Sequence, residues 1–138
     1  PSIGMEEGEA DLFSSHVVQI ALQAVRKASV ITKKVQGQID DIATITKSDA
    51  SPVTVADFAS QAVVLQHLRE HFSEDVFLAE ESSDSLTADV TRLIQQASGI
   101  DDETKLKECI DLGQSFFKKK ENDRRRFWCL DPIDGTKG

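Results

Sequence analysis

Two aspartates three residues apart, Asp131 and Asp134, share a turn with Pro132, Ile133, Gly135 and Thr136. Paired carboxylates are hard oxygen donors of the kind Mg²⁺ selects. Pro132 fixes one backbone angle after Asp131. The three-residue step then lets both acids turn toward one point, with the Ile133 carbonyl able to face it too. Gly135 allows close backbone approach, and Thr136 could open a helix whose free N–H groups and dipole hold an anion. A cation and a phosphate would share one corner. Asp-Pro and Asp-Gly are also ordinary turn formers, so a strand running into a turn accounts for the same composition without any ligand.

Elements must bring further acids to that corner. Phe127, Trp128, Cys129 and Leu130 form a short, aromatic, apolar run that predicts a buried strand delivering Asp131 to its carboxyl end. Ligands in layered α/β folds gather at such ends. A second run, Val76, Phe77, Leu78 and Ala79, stops at Glu80 and Glu81. Adjacent glutamates on an extended backbone point opposite ways, so one would face the site and the other solvent or a supporting position. The alternative is a strand that simply ends in the polar loop 82–85. Thr54 and Asp57 stand where a helical pattern of Ala59, Val63, Leu65, Leu68 and Phe72 begins. Their spacing is that of a capping box, worth about 1 kcal/mol; a chemical role for Asp57 requires its carboxylate to point away from the cap. If the two strands are neighbours, Asp57, Glu80, Asp131 and Asp134 can meet. Four carboxylates suit at least two divalent cations, an arrangement that activates water and stabilises a departing oxygen in phosphate monoester hydrolysis.

The rest of the chain reads as packing. From about residue 11 to 35, Val17, Ala21, Ala24, Ala28, Ile31 and Val35 recur at helical spacing, with His16 a solvated or core-edge residue near the start. Residues 39–46 alternate weakly and fit a short strand or a link, and residues 47–52 form a polar loop. A third helix is expected over residues 86–97 and a fourth over 101–112, the latter burying Leu106, Cys109 and Ile110. His67 and His71 have metal-ligand spacing, but Arg69 and Glu70 lie between them and no cysteine is near, which favours an exposed face over zinc. The basic stretch 116–126 reads as a solvated loop in preference to a polyanion contact, since its only aromatics, Phe116 and Phe117, sit at one edge.

A chain of 138 residues suits one domain. The net charge of −8 argues against a nucleic-acid partner. No apolar run approaches membrane-spanning length, and residues 1–10 are acidic, predicted disordered and unlike a secretory signal. Cys109 and Cys129 are too few for a disulfide scaffold or a zinc site. Free thiols in a reducing compartment are expected, with a bridge between the two as the alternative. These features predict a soluble intracellular protein of the cytoplasm or an organelle, and they leave oligomeric state open. Pro1 at one end and Gly138 just after Thr136 at the other suggest a fragment.

The stretch Asp131-Pro132-Ile133-Asp134-Gly135-Thr136, at its distance after Leu78-Ala79-Glu80-Glu81, resembles the signature of the lithium-sensitive, magnesium-dependent phosphatases that include inositol monophosphatase and fructose-1,6-bisphosphatase. Residues 47–58 and 60–64, with Lys137 and Gly138 after the threonine, are most similar to the 3′(2′),5′-bisphosphate nucleotidases of that family; inositol monophosphatases usually carry asparagine at the Lys137 position. The resemblance implies an α/β fold, an α+β layered sandwich, of which residues 11–138 would be the N-terminal portion, incomplete at its C-terminal end. It implies two or more Mg²⁺ ions held by Glu80, Asp131, Asp134 and the Ile133 carbonyl, with Glu81 in support. Asp57 and Thr136 would be the catalytic pair activating a water, and Gly135 and Thr136 would contact phosphate. The implied substrate is a small nucleotide bisphosphate, 3′-phosphoadenosine 5′-phosphate, cleaved to AMP, with its phosphosulfate analogue as a second candidate. An inositol phosphate phosphatase, or a cation-binding domain without turnover, are the competing readings. The present residues alone are expected to be inactive or nearly so.

Overall fold

The computed structural model describes residues 15–38 and 51–133. The expectations for residues 1–10, 39–46 and 47–50 lie outside them, as do Asp134, Gly135 and Thr136.

Helix α1 spans His16–Gln36 and is capped by Ser15, whose Oγ accepts from the Val18 N–H at 3.3 Å. Lys33 and Lys34 in its last turn face the negative end of the helix dipole. Its buried stripe is Ile20, Ala24, Ile31 and Val35. The predicted Val17, Ala21 and Ala28 are half-buried at its margins.

Helix α2, Pro52–His71, decides between two open alternatives at its start and departs from expectation in its burial. The capping box at Thr54 and Asp57 does not form. Ser51 is the cap, its Oγ accepting from the Thr54 N–H at 3.2 Å, and Pro52 fits the first turn, where its missing N–H costs nothing. Asp57 is thereby carried into the second turn, with no claim on the helix end. The departure is burial: every residue from Val55 through Leu65 is buried, not one stripe alone. Helix α1 packs on α2 from one side while α3 (Ala88–Ser98) and α4 (Glu103–Asp111) pack from others. A helix surrounded in this way has no polar face. Ala56, Ala59, Ser60 and Ala62 let its neighbours approach closely.

Thr87 caps α3, which ends at Gly99 in the left-handed conformation (φ 75°), and Asp102 caps α4. Val90, Leu93, Ile94 and Ala97 of α3 and Leu106, Cys109 and Ile110 of α4 are buried as predicted. They form one core cluster with Val55, Phe58, Ala59 and Ala62 of α2. A 3-10 helix, Leu112–Lys118, continues from α4.

The predicted strands are present as β1, Val76–Ala79, and β2, Phe127–Leu130. They pair in parallel, Val76 opposite Phe127 and Ala79 opposite Leu130. The helices lie against one face of this ribbon: Phe77, Ala79, Trp128 and Leu130 join Ile20, Ala24, Val64, Leu65 and Leu68 in a second core cluster. The layered α/β class is therefore as expected. The burial of β2 is not, since Phe127 is 48% exposed and Cys129 is exposed too. Strand side chains alternate between faces, and on β2 the face that Phe127 and Cys129 share is exposed while Trp128 and Leu130 are half-buried.

Candidate active site

The parallel register makes Glu80 and Asp131 the next residues at the carboxyl ends of adjacent strands, and neighbouring strands run about 4.8 Å apart. Both line an open cleft of about 590 Å³ with Leu78, Gln114, Phe117 and Cys129. The condition set by the sequence, that the two acid-ended strands be neighbours, is met.

Asp57 faces the same end from α2. It is 7% exposed, and no described residue donates a hydrogen bond to it. Burial pushes its pKa up to about 6, and the charges of Glu81, Glu80 and Asp131 push in the same direction. Glu81 is half-buried, and burial followed by the Glu80 charge raises its pKa as well. Glu80 is exposed, so the two adjacent glutamates do occupy different environments. Of the pair, Glu81 acts on Asp57 more strongly.

Among the described residues, no lysine or arginine contributes to holding Asp57 ionised. A cluster of mutually repelling hard oxygen donors without an internal counter-charge fits a divalent cation. Among the described residues no three acids already close into a coordination cage. Ile133 packs its side chain against the first core cluster, beside a small apolar pocket formed with Val35, Val53 and Ala56. Its carbonyl is the part left for a ligand role.

Two side chains that shape this region escaped notice in the sequence. Gln61, one helical turn after Asp57, is fully buried and hydrogen-bonds both backbone groups of Glu81. Its only sequence signal is an amide within a run of small and apolar residues. Asp75 sits at the opposite end of the strands, where its Oδ2 accepts from Arg126 Nε at 2.7 Å and Trp128 Nε1 at 2.8 Å.

Two expectations are corrected. His67 is buried, not on an exposed face: its Nδ1 lies 3.0 Å from Lys27 Nζ and its Nε2 lies 3.1 Å from Gln23 Oε1. Both ring nitrogens are occupied by α1, which removes it from metal binding and, with burial as the main cause, lowers its pKa. The basic stretch is not simply solvated. Arg125 pairs with Asp123, and Arg126 pairs with Asp75 while its guanidinium lies 4.5 Å from the Phe72 ring centroid. Cys109 and Cys129 are both free, the first buried and the second exposed, so the alternative of a bridge between them is not realised.

Helices packed on parallel strands whose carboxyl ends bring acidic residues together define a layered α/β protein with an acidic site at its strand ends. The chain belongs to the inositol monophosphatase family, whose model matches residues 14–138. That family is generally Mg²⁺-dependent. Among curated relatives, a 3′(2′),5′-bisphosphate nucleotidase 2 of Candida albicans is 35% identical over 88% of this chain and 38% of its own length. The 3′(2′),5′-bisphosphate nucleotidase of Schizosaccharomyces pombe is 35% identical over 87% of this chain and 38% of its own. A 3′(2′),5′-bisphosphate nucleotidase 1 of Arabidopsis thaliana is 35% identical over 86% of this chain and 37% of its own. The chain thus spans a little over a third of the length of these relatives.

Proposed function

We propose that this chain is part of a Mg²⁺-dependent phosphomonoester hydrolase that converts 3′-phosphoadenosine 5′-phosphate and water to AMP and phosphate, with the phosphosulfate analogue as a second substrate. The observation that carries this reading is the strand register, which sets Glu80 beside Asp131 with the buried, unpaired Asp57 facing them. The names of the relatives supply the substrate class.

In this reading Glu80, Asp131, Asp134 and the Ile133 carbonyl hold two or more Mg²⁺ ions, and Glu81 steadies them. Bound Mg²⁺ supplies positive charge for the phosphoryl oxygens and for the attacking water. Asp57, kept off the helix cap and out of other hydrogen bonds, is available to take a proton by way of the Thr136 hydroxyl. Gly135 and Thr136 present backbone groups to the phosphate. With little more than a third of the relatives' length, the 138 residues alone are expected to turn over little.

The test is phosphate release from 3′-phosphoadenosine 5′-phosphate and from inositol 1-phosphate, with and without Mg²⁺, in this chain and in one extended to the length of the relatives. Mg²⁺-dependent release in the longer chain, selective for the nucleotide and lost in Asp57→Asn, supports the proposal. Preference for the inositol ester would overturn the substrate, and no release from either would favour a cation-binding domain without turnover.

A further inference from the structure

Among the described residues, strand β1 has β2 on one edge only. On the other edge, alternate residues 77, 79 and 81 present their backbone groups, and side chains take the place of a third strand. The Phe77 N–H donates to Ser115 Oγ at 2.8 Å, and Gln114 Nε2 donates to the Ala79 carbonyl at 3.4 Å. At Glu81, past the strand end, one carboxamide serves both groups. Gln61 Oε1 accepts from the Glu81 N–H at 3.0 Å, and Gln61 Nε2 donates to the Glu81 carbonyl at 2.9 Å. The same Nε2 donates to the Ile110 carbonyl at 2.8 Å, in the last turn of α4. Gln61 is 0% exposed, and an amide has two N–H donors and one carbonyl oxygen, so all its hydrogen-bonding groups are engaged.

Gly113 closes the other side. A Cβ on it would lie 2.7 Å from Ala79 Cβ and 3.0 Å from Gln61 Nε2. The space needed for this contact is held open by the absence of a side chain. Ser83, two residues beyond Glu81, is also tied down, its N–H and Oγ donating to the Asp111 carboxylate at 2.8 and 2.6 Å.

We propose that Gln61 is a positioning residue for the cation site, fixing the peptide planes on both sides of Glu81 and thereby the directions in which Glu80 and Glu81 leave the backbone. The inference rests on the cation-site reading above. Because Gln61 stands one turn after Asp57 on α2, the same rigid helix that carries Asp57 also sets its spacing from the glutamates. Ligand-orienting hydrogen bonds of this kind commonly govern metal affinity by about 10–100-fold.

The probe is Mn²⁺, whose free concentration is read directly from its paramagnetic resonance signal during titration of the 138-residue chain. Gln61→Met, which keeps volume but loses the amide, is expected to weaken Mn²⁺ binding by about tenfold or more. Ser115→Ala removes a hydrogen bond from the same strand edge, four residues from Glu81, and is expected to leave Mn²⁺ affinity within about twofold of the parent. A structural role alone would move both variants alike. Should Gln61→Met fail to unfold cooperatively, Gly113→Ala decides, since it presses on Gln61 and Ala79 while leaving every hydrogen-bonding group in place; weakened binding supports the role. Parent-like affinity in the deciding variant overturns the positioning role alone. Absence of Mn²⁺ binding by the parent chain overturns the cation-site reading, and the positioning role with it.

Discussion

The two ends of the β1–β2 ribbon hold acids in opposite circumstances. At the amino ends, Asp75 is buried and answered: Arg126 and Trp128 both donate to it, Arg126 stacks on Phe72, and Phe72 stacks on Trp128 with ring centroids 5.8 Å apart. At the carboxyl ends, Asp57 faces Glu80, Glu81 and Asp131, and burial together with all three neighbouring charges opposes its ionisation. A buried acid with its donors in place fixes register, while a cluster of unanswered acids is electrostatic strain that a bound cation or a proton would relieve. The paired end serves the unpaired one, because the register it sets places Asp131 beside Glu80.

Removing one member at each end should have opposite effects. Asp57→Asn is the largest change expected: phosphate release by the longer chain should fall at least about 100-fold. In EDTA the same substitution should raise the thermal midpoint of the 138-residue chain, since it deletes a buried charge that its neighbours repel. Asp75→Ala should do the reverse, lowering stability by about 2 kcal/mol in urea titrations through two orphaned donors.

Acid titration separates two buried groups shifted in opposite senses. His67 has its pKa lowered from 6.5, so the unfolded chain takes up that proton first and stability falls as pH drops below about 6.5. Asp57, raised from 3.8 to about 6, gains stability as pH falls through that interval and partly offsets the loss. Metal-free Asp57→Asn should therefore lose stability more steeply between pH 6.5 and 4 than the parent, and His67→Gln less steeply; thermal midpoints across that range decide. The smallest effect is expected from Arg126→Lys, which keeps the charge beside Asp75 but gives up planar stacking on Phe72, costing about 0.5–1 kcal/mol in urea titrations.

Much of this was legible in residue order. Both strands, the third and fourth helices and the acids at the strand ends followed from apolar runs and turn residues, because those signals are local. The start of α2 was left open because Thr54 and Asp57 match a capping box as well as Ser51 and Pro52 match a cap; the observed Ser51 bond to the Thr54 N–H distinguishes them. The burial of α2 on all sides could not be read from α2 alone, as it depends on how many elements surround it. His67 was misplaced for the same reason, its partners Lys27 and Gln23 lying 40 and 44 residues away. Gln61 and Asp75 likewise act across 20 to 53 residues, a span no motif spacing encodes.

The central claim, that the carboxyl ends of β1 and β2 form a cation site, is tested most directly by the thermal midpoint of the 138-residue chain in EDTA and in millimolar Mg²⁺ at matched ionic strength. A ligand bound only by the folded state raises that midpoint. The expected result is a rise with Mg²⁺ that NaCl does not reproduce and that disappears in Asp131→Asn. A midpoint that Mg²⁺ leaves unmoved in the parent chain would contradict the account.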